Sequence, residues 1–282
     1  MNNNGTNEQI DLAGQVAIVT GSGRGIGRAM ALALAKAGAA VAVVARSSDQ
    51  LAETVALVEE AGGRAIAIMA DVTDQQAVEQ MANQVERQLG PVDLLVNNAG
   101  HPGEVGATWE VDPDGWWRCI DVNLRGPFLC TRAIVPGMIA RGGGRIVTTA
   151  SHTGLGLWPG MSAYAIGKTA VIRLCETLAA ETREHGICVF AIHPGGVQTA
   201  LTESQFLSEG ARTWFPKIYE YASQGGGGQP PEHAADLVVF LASGRADALS
   251  GCFINVREDV TEMVQRADEI RQNELYTLRL RT

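Results

Sequence analysis

The stretch Gln15-Val-Ala-Ile-Val-Thr20-Gly21-Ser-Gly-Arg-Gly-Ile-Gly27-Arg-Ala-Met-Ala-Leu-Ala-Leu-Ala-Lys36 decides the architecture. A β-branched apolar run stops abruptly at a glycine-rich turn, and a helix-forming run follows. Strand, glycine turn and helix in that order aim backbone N–H groups and the positive end of a helix dipole at one point, where a phosphate is welcome. The spacing is not G-x-G-x-x-G, because position 26 is Ile; it reads T-G-x-x-x-G-x-G. A plain structural turn is the competing reading of the same glycines, and the flanking strand and helix favour the phosphate.

Outward from this turn the alternation repeats. Apolar runs at 40–45, 64–69, 92–96, 145–150, 187–192 and 252–256 are predicted strands. Between them lie predicted helices at 49–61, 74–89 (Asp74 at its cap), 114–141, 162–182 and 232–243. Strands separated by helices require crossover connections, which predicts a parallel sheet covered on both faces in a single doubly wound α/β domain. Residues 1–13 read as a mobile arm, 14–257 as the domain and 258–282 as a C-terminal extension, part helix and part extended. Residues 200–230 break the rhythm. They combine Phe206, Trp214, Phe215, Tyr219 and Tyr221 with a run of four glycines at 225–228. A lid over a pocket is expected there; a surface insertion packed on the body is the alternative.

A second decisive stretch is Ser151-His-Thr-Gly-Leu-Gly-Leu-Trp158-Pro-Gly-Met-Ser-Ala-Tyr164-Ala-Ile-Gly-Lys168. Tyr164 and Lys168 lie one helical turn apart and share a face. A nearby ammonium favours the ionised phenol, so the Tyr164 pKa is expected to fall towards working pH, making it a general acid/base. Ser151 ends a predicted strand, where open α/β sheets bind ligands. An amphipathic helix with a chance Tyr and Lys is the bland alternative.

Composition narrows the classes. With 46% hydrophobic and 19% charged residues in 282, the chain reads as a soluble globule. Its 33 glycines exceed the usual ~7% and imply many tight turns. A net charge of −9 argues against nucleic-acid or anionic-membrane partners. Five scattered cysteines without a C-x-x-C pair predict free thiols, and no signal-like or membrane-spanning run is visible, so a cytoplasmic location is expected. The histidines form no metal-binding spacing, and no metal is expected.

Taken in order, the glycine turn, Asn97-Asn98-Ala99-Gly100 and the Ser151, Tyr164, Lys168 set resemble the short-chain dehydrogenase/reductase family from about Leu12 to Val256. The resemblance implies a Rossmann-like domain with a seven-stranded parallel sheet. It implies a catalytic set of Asn123, Ser151, Tyr164 and Lys168, with Asn123 anchoring a relay water. Cofactor contacts are implied at Gly21, Ser22, Arg24, Gly25, Ile26 and Gly27, at Asp71 and Val72 beside the adenine, and at Asn98, Ala99 and Gly100. Tyr164, Lys168, Pro194, Gly195, Val197 and Thr199 are implied at the nicotinamide end. Family habit also implies a homodimer or homotetramer built on the helices at 114–141 and 162–185.

The end of the second predicted strand carries Ala45, Arg46 and Ser47 in place of an acidic residue, and Arg24 approaches from the turn. Two arginines without an opposing carboxylate favour NADP(H) over NAD(H). Solvated surface charges are the alternative, and with it NAD. The expected activity is hydride transfer between NADP(H) and a carbonyl or secondary alcohol substrate. A non-catalytic NADP(H)-sensing protein on the same fold is the rival. His101, His152, Trp158, Trp214 and Phe215 are the candidate substrate-pocket residues. The C-terminal extension departs from the family pattern, which leaves the substrate class open.

Overall fold

The computed structural model describes residues 10–226 and 228–280. Seven parallel strands, β1 (Val16–Thr20), β2 (Ala40–Ala45), β3 (Arg64–Met69), β4 (Leu94–Asn97), β5 (Gly144–Thr149), β6 (Ile187–His193) and β7 (Phe253–Asn255), stand in the order β3-β2-β1-β4-β5-β6-β7. Val, Ile, Leu and Ala fill β1, β2 and β4 on both faces, because helices cover both sides of the sheet. On one side α1 (Gly25–Lys36), α2 (Ser48–Glu60) and α10 (Glu232–Ala242) close a core around Met30, Leu34, Leu51 and Leu241. On the other α3 (Gln75–Gln88), α5 (Gly126–Arg141) and α6 (Ser162–Thr182) bury Val85, Met138, Ile146 and Val171. The order reverses between β1 and β4, and a crevice opens there at the strands' C-terminal ends. The expected doubly wound, seven-stranded single domain is what the chain forms.

Local differences have local causes. The helix expected at 114–141 is three pieces: α4 (Pro113–Ile120), a π turn (Asp121–Arg125) and α5. Pro127 has no N–H to offer the carbonyl four residues back, that of Asn123, so an α-helical ladder cannot run through this point. Residues 200–223 carry three short helices, α7 (Ala200–Phe206), α8 (Glu209–Trp214) and α9 (Pro216–Ser223). The extension carries α11 (Val260–Gln265) and α12 (Ala267–Gln272), and its end lies along the sheet edge, where Phe253 N donates to Tyr276 O at 2.8 Å. Of the arm expected at 1–13, residues 1–9 lie outside the described residues; Leu12 is buried and its N–H bonds Ala37 O at 2.7 Å. The five cysteines are free, as expected, and among the described residues no helix is long and apolar enough to cross a membrane.

Candidate active site

One cleft of about 900 Å³ runs along the C-terminal edge of the sheet, from Arg46 and Ser47 past the glycine turn to Tyr164 and Trp158. Its floor at the turn is fixed by two short side chains bonded to backbone. Thr20 Oγ1 accepts Asn98 N at 3.0 Å and Ala99 N at 3.1 Å, and Asn98 Nδ2 donates to Thr20 O at 3.0 Å. A Cβ on Gly27 would stand 2.4 Å from Asn98 Nδ2 and from Gly21 O. Gly21 and Gly25 hold φ of 67° and 58°, the left-handed region that side chains resist. At the start of α1, Arg24 caps no N–H with its side chain, so first-turn donors face the cleft unclaimed by a cap. Glycine cradle, open helix start and cleft length together fit a dinucleotide with its pyrophosphate at Gly21–Gly27.

Several expected contacts need correction. Ser22 is buried and does not line the cleft; its Oγ donates to Val19 O at 2.7 Å and accepts Val44 N at 2.9 Å, pinning β1 to β2. Arg46 does have an opposing carboxylate, since its Nη1 lies 3.9 Å from Asp71 Oδ2. Asp71 is also gripped by Arg118, a cleft residue that sequence reasoning missed, at 2.8 Å. Arg118 stands in a helix far along the chain from Asp71, with no motif to mark it. Although partial burial opposes ionisation, the bonds from Thr73 and Arg118 hold the Asp71 carboxyl down to about 2. Of the remaining implied contacts, Arg24, Ile26, Ser47, Val72, Gly100, Pro194, Gly195, Val197 and Thr199 line the cleft.

At the far end α6 brings Tyr164 and Lys168 to the cleft wall opposite Ser151. Ser151 lies two residues past the end of β5, and its Oγ accepts Thr153 N at 3.1 Å, which caps the turn His152–Gly154. Lys168 is buried; its Nζ donates to Thr149 O at 2.7 Å and lies 5.6 Å from the centre of the Tyr164 ring. The expected fall in the Tyr164 pKa does not occur. Desolvation pushes the phenol up to about 12, opposed by a hydrogen bond with Ser151, and brings Lys168 down to about 8. At this distance, and with Lys168 itself buried, burial outweighs the attraction of the ammonium. The Tyr164 phenol therefore keeps its proton at neutral pH.

Asn123 is fully buried behind the cleft wall and does not line it. Its Nδ2 donates to His101 O at 2.8 Å and Cys119 O at 3.0 Å, and its Oδ1 accepts His101 N at 3.3 Å. From the π turn it thus holds the loop that follows β4. His101, His152 and Trp158 line the cleft. Trp214 and Phe215 stand behind the lining: Phe215 packs on Trp158 at 5.9 Å between ring centres, and Trp214 covers Gly160. Leu201, Gln205 and Phe206 of α7 take the lining positions instead, in a helix whose sequence pattern gave no sign of which side faces inward. His152 also meets Asn255 Nδ2 through Nε2 at 2.6 Å and forms the wall between this cleft and a side cavity of about 220 Å³ under Tyr276. Among the described residues no cluster of three His, Cys, Asp or Glu could hold a metal ion.

The chain is similar in sequence and fold to known proteins. A sequence profile described as short chain dehydrogenase matches residues 15–210. The short chain dehydrogenase pigC of Monascus ruber is 36% identical over 271 residues, covering 94% of this chain and 86% of that protein. The crystal structure of actinorhodin polyketide ketoreductase with NADPH is similar with a TM-score of 0.79 at 32% identity, over 88% of this chain and 97% of that one. NAD+-bound xylitol dehydrogenase gives 0.79 at 31% identity, over 86% and 97%. The chain belongs to the short-chain dehydrogenase/reductase family, whose members are oxidoreductases that use a nicotinamide cofactor.

Proposed function

We propose that the chain is an NADP(H)-dependent carbonyl reductase or secondary-alcohol dehydrogenase. The observation that carries this reading is the single cleft that joins Arg24 and Arg46 at one end to Ser151, Tyr164 and Lys168 at the other. The bound cofactor supplies or accepts the hydride. Ser151 hydrogen-bonds the carbonyl oxygen, where negative charge grows in reduction, and Tyr164 gives that oxygen its proton. Lys168 holds the ribose hydroxyls beside Tyr164, and Asn123 keeps the His101 loop in place behind them. Arg46 and Arg24 receive the 2′-phosphate. Trp158, Phe206 and Leu201 form an apolar chamber suited to a carbonyl on an aromatic or medium-sized apolar body. Residues 200–223 act as its lid. A ketoreductase that binds NADPH among the similar structures supports this reading.

NAD(H) is the second reading, favoured by the Arg46 to Asp71 contact and by the NAD+-bound xylitol dehydrogenase. A homodimer or homotetramer is proposed through α4, α5 and α6, where Trp117, Phe128 and Ile166 are exposed at 61%, 48% and 50%. The test of function is NADPH and NADH oxidation with a panel of aryl and alkyl ketones. Turnover with a higher kcat/KM for NADPH is expected. Tight dinucleotide binding with silence across the panel would overturn catalysis in favour of a sensing protein.

A further inference from the structure

The carboxylate of Asp71 is fully engaged. Its Oδ1 accepts Thr73 N at 2.9 Å and Thr73 Oγ1 at 2.7 Å. Its Oδ2 accepts Arg118 Nη2 at 2.8 Å, and Arg118 Nη1 reaches Thr73 Oγ1 at 3.1 Å, so one guanidinium spans the whole turn. Arg46 lies 3.9 Å from the same Oδ2, outside hydrogen-bonding range, and its side chain is 69% exposed against 38% for Arg118. Two guanidinium groups thus share one carboxylate, leaving one positive charge in surplus beside Ser47 at the end of the cleft. That surplus reaches His101, whose pKa burial lowers first and the charges of Arg118 and Arg46 lower further.

We propose that Arg118 sets the dinucleotide preference: by saturating Asp71 it prevents that carboxylate from capturing Arg46, which stays available to a 2′-phosphate. The inference rests on the NADP(H) reading of the cleft. A carboxylate at the adenine position and an arginine at the phosphate position are close enough to neutralise one another. An unpaired Asp71 would draw Arg46 into a direct ion pair and would itself repel the phosphate. Arg118 comes from α4 and spends its guanidinium on Asp71 Oδ2 and Thr73 Oγ1, whereas Arg46 makes no bond that short to the carboxylate. It is a positioning residue that acts on the cofactor through Asp71 and Arg46.

The test is a binding measurement, independent of turnover: Kd for NADPH and for NADH, by fluorescence titration, in the wild type, Arg118→Leu, and Arg118→Leu with Asp71→Asn. The wild type should prefer NADPH. Arg118→Leu should reduce that preference about tenfold, mainly by weakening NADPH, a change worth about 1.4 kcal/mol. The double variant should regain the preference, because the capturing carboxylate is gone. Arg118→Gln, nearer in size to Arg, repeats the test should the leucine variant fold poorly. An NADPH preference that survives loss of Arg118, an equal loss of both dinucleotides, or a double variant without recovery would each overturn the inference while leaving the NADP(H) reading intact. Equal affinities in the wild type would overturn that reading, and the inference with it.

Discussion

The two ends of the cleft are built differently. At the glycine turn the contacts end on backbone: a Cβ on Gly21 would stand 2.8 Å from Ala99 Cα, Thr20 Oγ1 accepts Asn98 N, and Asn98 Nδ2 donates to Thr20 O. At the substrate end, side chains meet side chains, as Trp158 on Phe215, or reach a loop carbonyl, as Gln205 Nε2 to Pro102 O at 2.7 Å. Backbone contacts tolerate one residue type, and side-chain contacts tolerate many. The first end is suited to an invariant ligand and the second to a variable one. Tyr164 sits where they join, so its removal separates them most sharply. Tyr164→Phe should lower kcat by about a thousandfold, within the range for a lost general acid, while dinucleotide Kd stays within a factor of two or so. Retained turnover would remove Tyr164 from the proposed role. With the phenol at about 12, the wild-type proton donor stays loaded through the neutral range, so reduction should be flat there while oxidation rises with pH.

A matched pair of glycines tests the contrast directly. Gly27→Ala places a methyl 2.4 Å from Asn98 Nδ2 and Gly21 O in a turn that cannot yield, and should cost about 1–3 kcal/mol of stability together with most dinucleotide affinity. Gly210→Ala drives a methyl to 1.7 Å from Val105 O, so α8 must move off the loop after β4. The neighbour here is also backbone, but α8 is short and can shift as a unit, so the expected effect is confined to the other end: KM for the ketone rises about tenfold, or about 1.4 kcal/mol, with dinucleotide Kd unchanged. Calorimetry and steady-state kinetics on both variants decide it. Loss of dinucleotide affinity in Gly210→Ala would show that the two ends are mechanically coupled.

The same difference explains what could be read from the sequence. The glycine turn, the strands and the positions of Ser151, Tyr164 and Lys168 were legible because periodicity and backbone geometry dictate them. Ser22 was misassigned because a hydroxyl in a phosphate turn can equally tie two strands, and only the register shows that Val44 N lies within reach. Arg118 was invisible because it meets Asp71 from 47 positions along the chain. The Tyr164 pKa was expected to move the wrong way, since spacing reveals the neighbouring ammonium and conceals the burial. Trp214 and Phe215 were placed in the lining because residue type marks aromatic positions without telling front from back.

The C-terminal tail offers the mildest test of the contrast, because it supports the substrate end from outside. Glu176 is nearly buried in α6; its Oε1 accepts Leu278 N at 2.6 Å and its Oε2 lies 3.2 Å from Arg279 Nη1, with Arg173 also paired. These contacts hold the segment whose Tyr276 carbonyl covers the edge strand β7 and whose side chain roofs the cavity beside His152. Glu176→Gln keeps an acceptor for Leu278 and removes the charge that both arginines share. Because those arginines are partly exposed, the loss should be about 1 kcal/mol, a fall in Tm of about 2–4 °C. Hydrogen exchange should quicken at 253–256 and 274–280 and stay unchanged at β1 and β4, since a tail held by few contacts opens locally before the sheet does. Faster exchange at the glycine turn as well would mean that the tail is part of the cooperative core, and the two-ended description of the cleft would then fail.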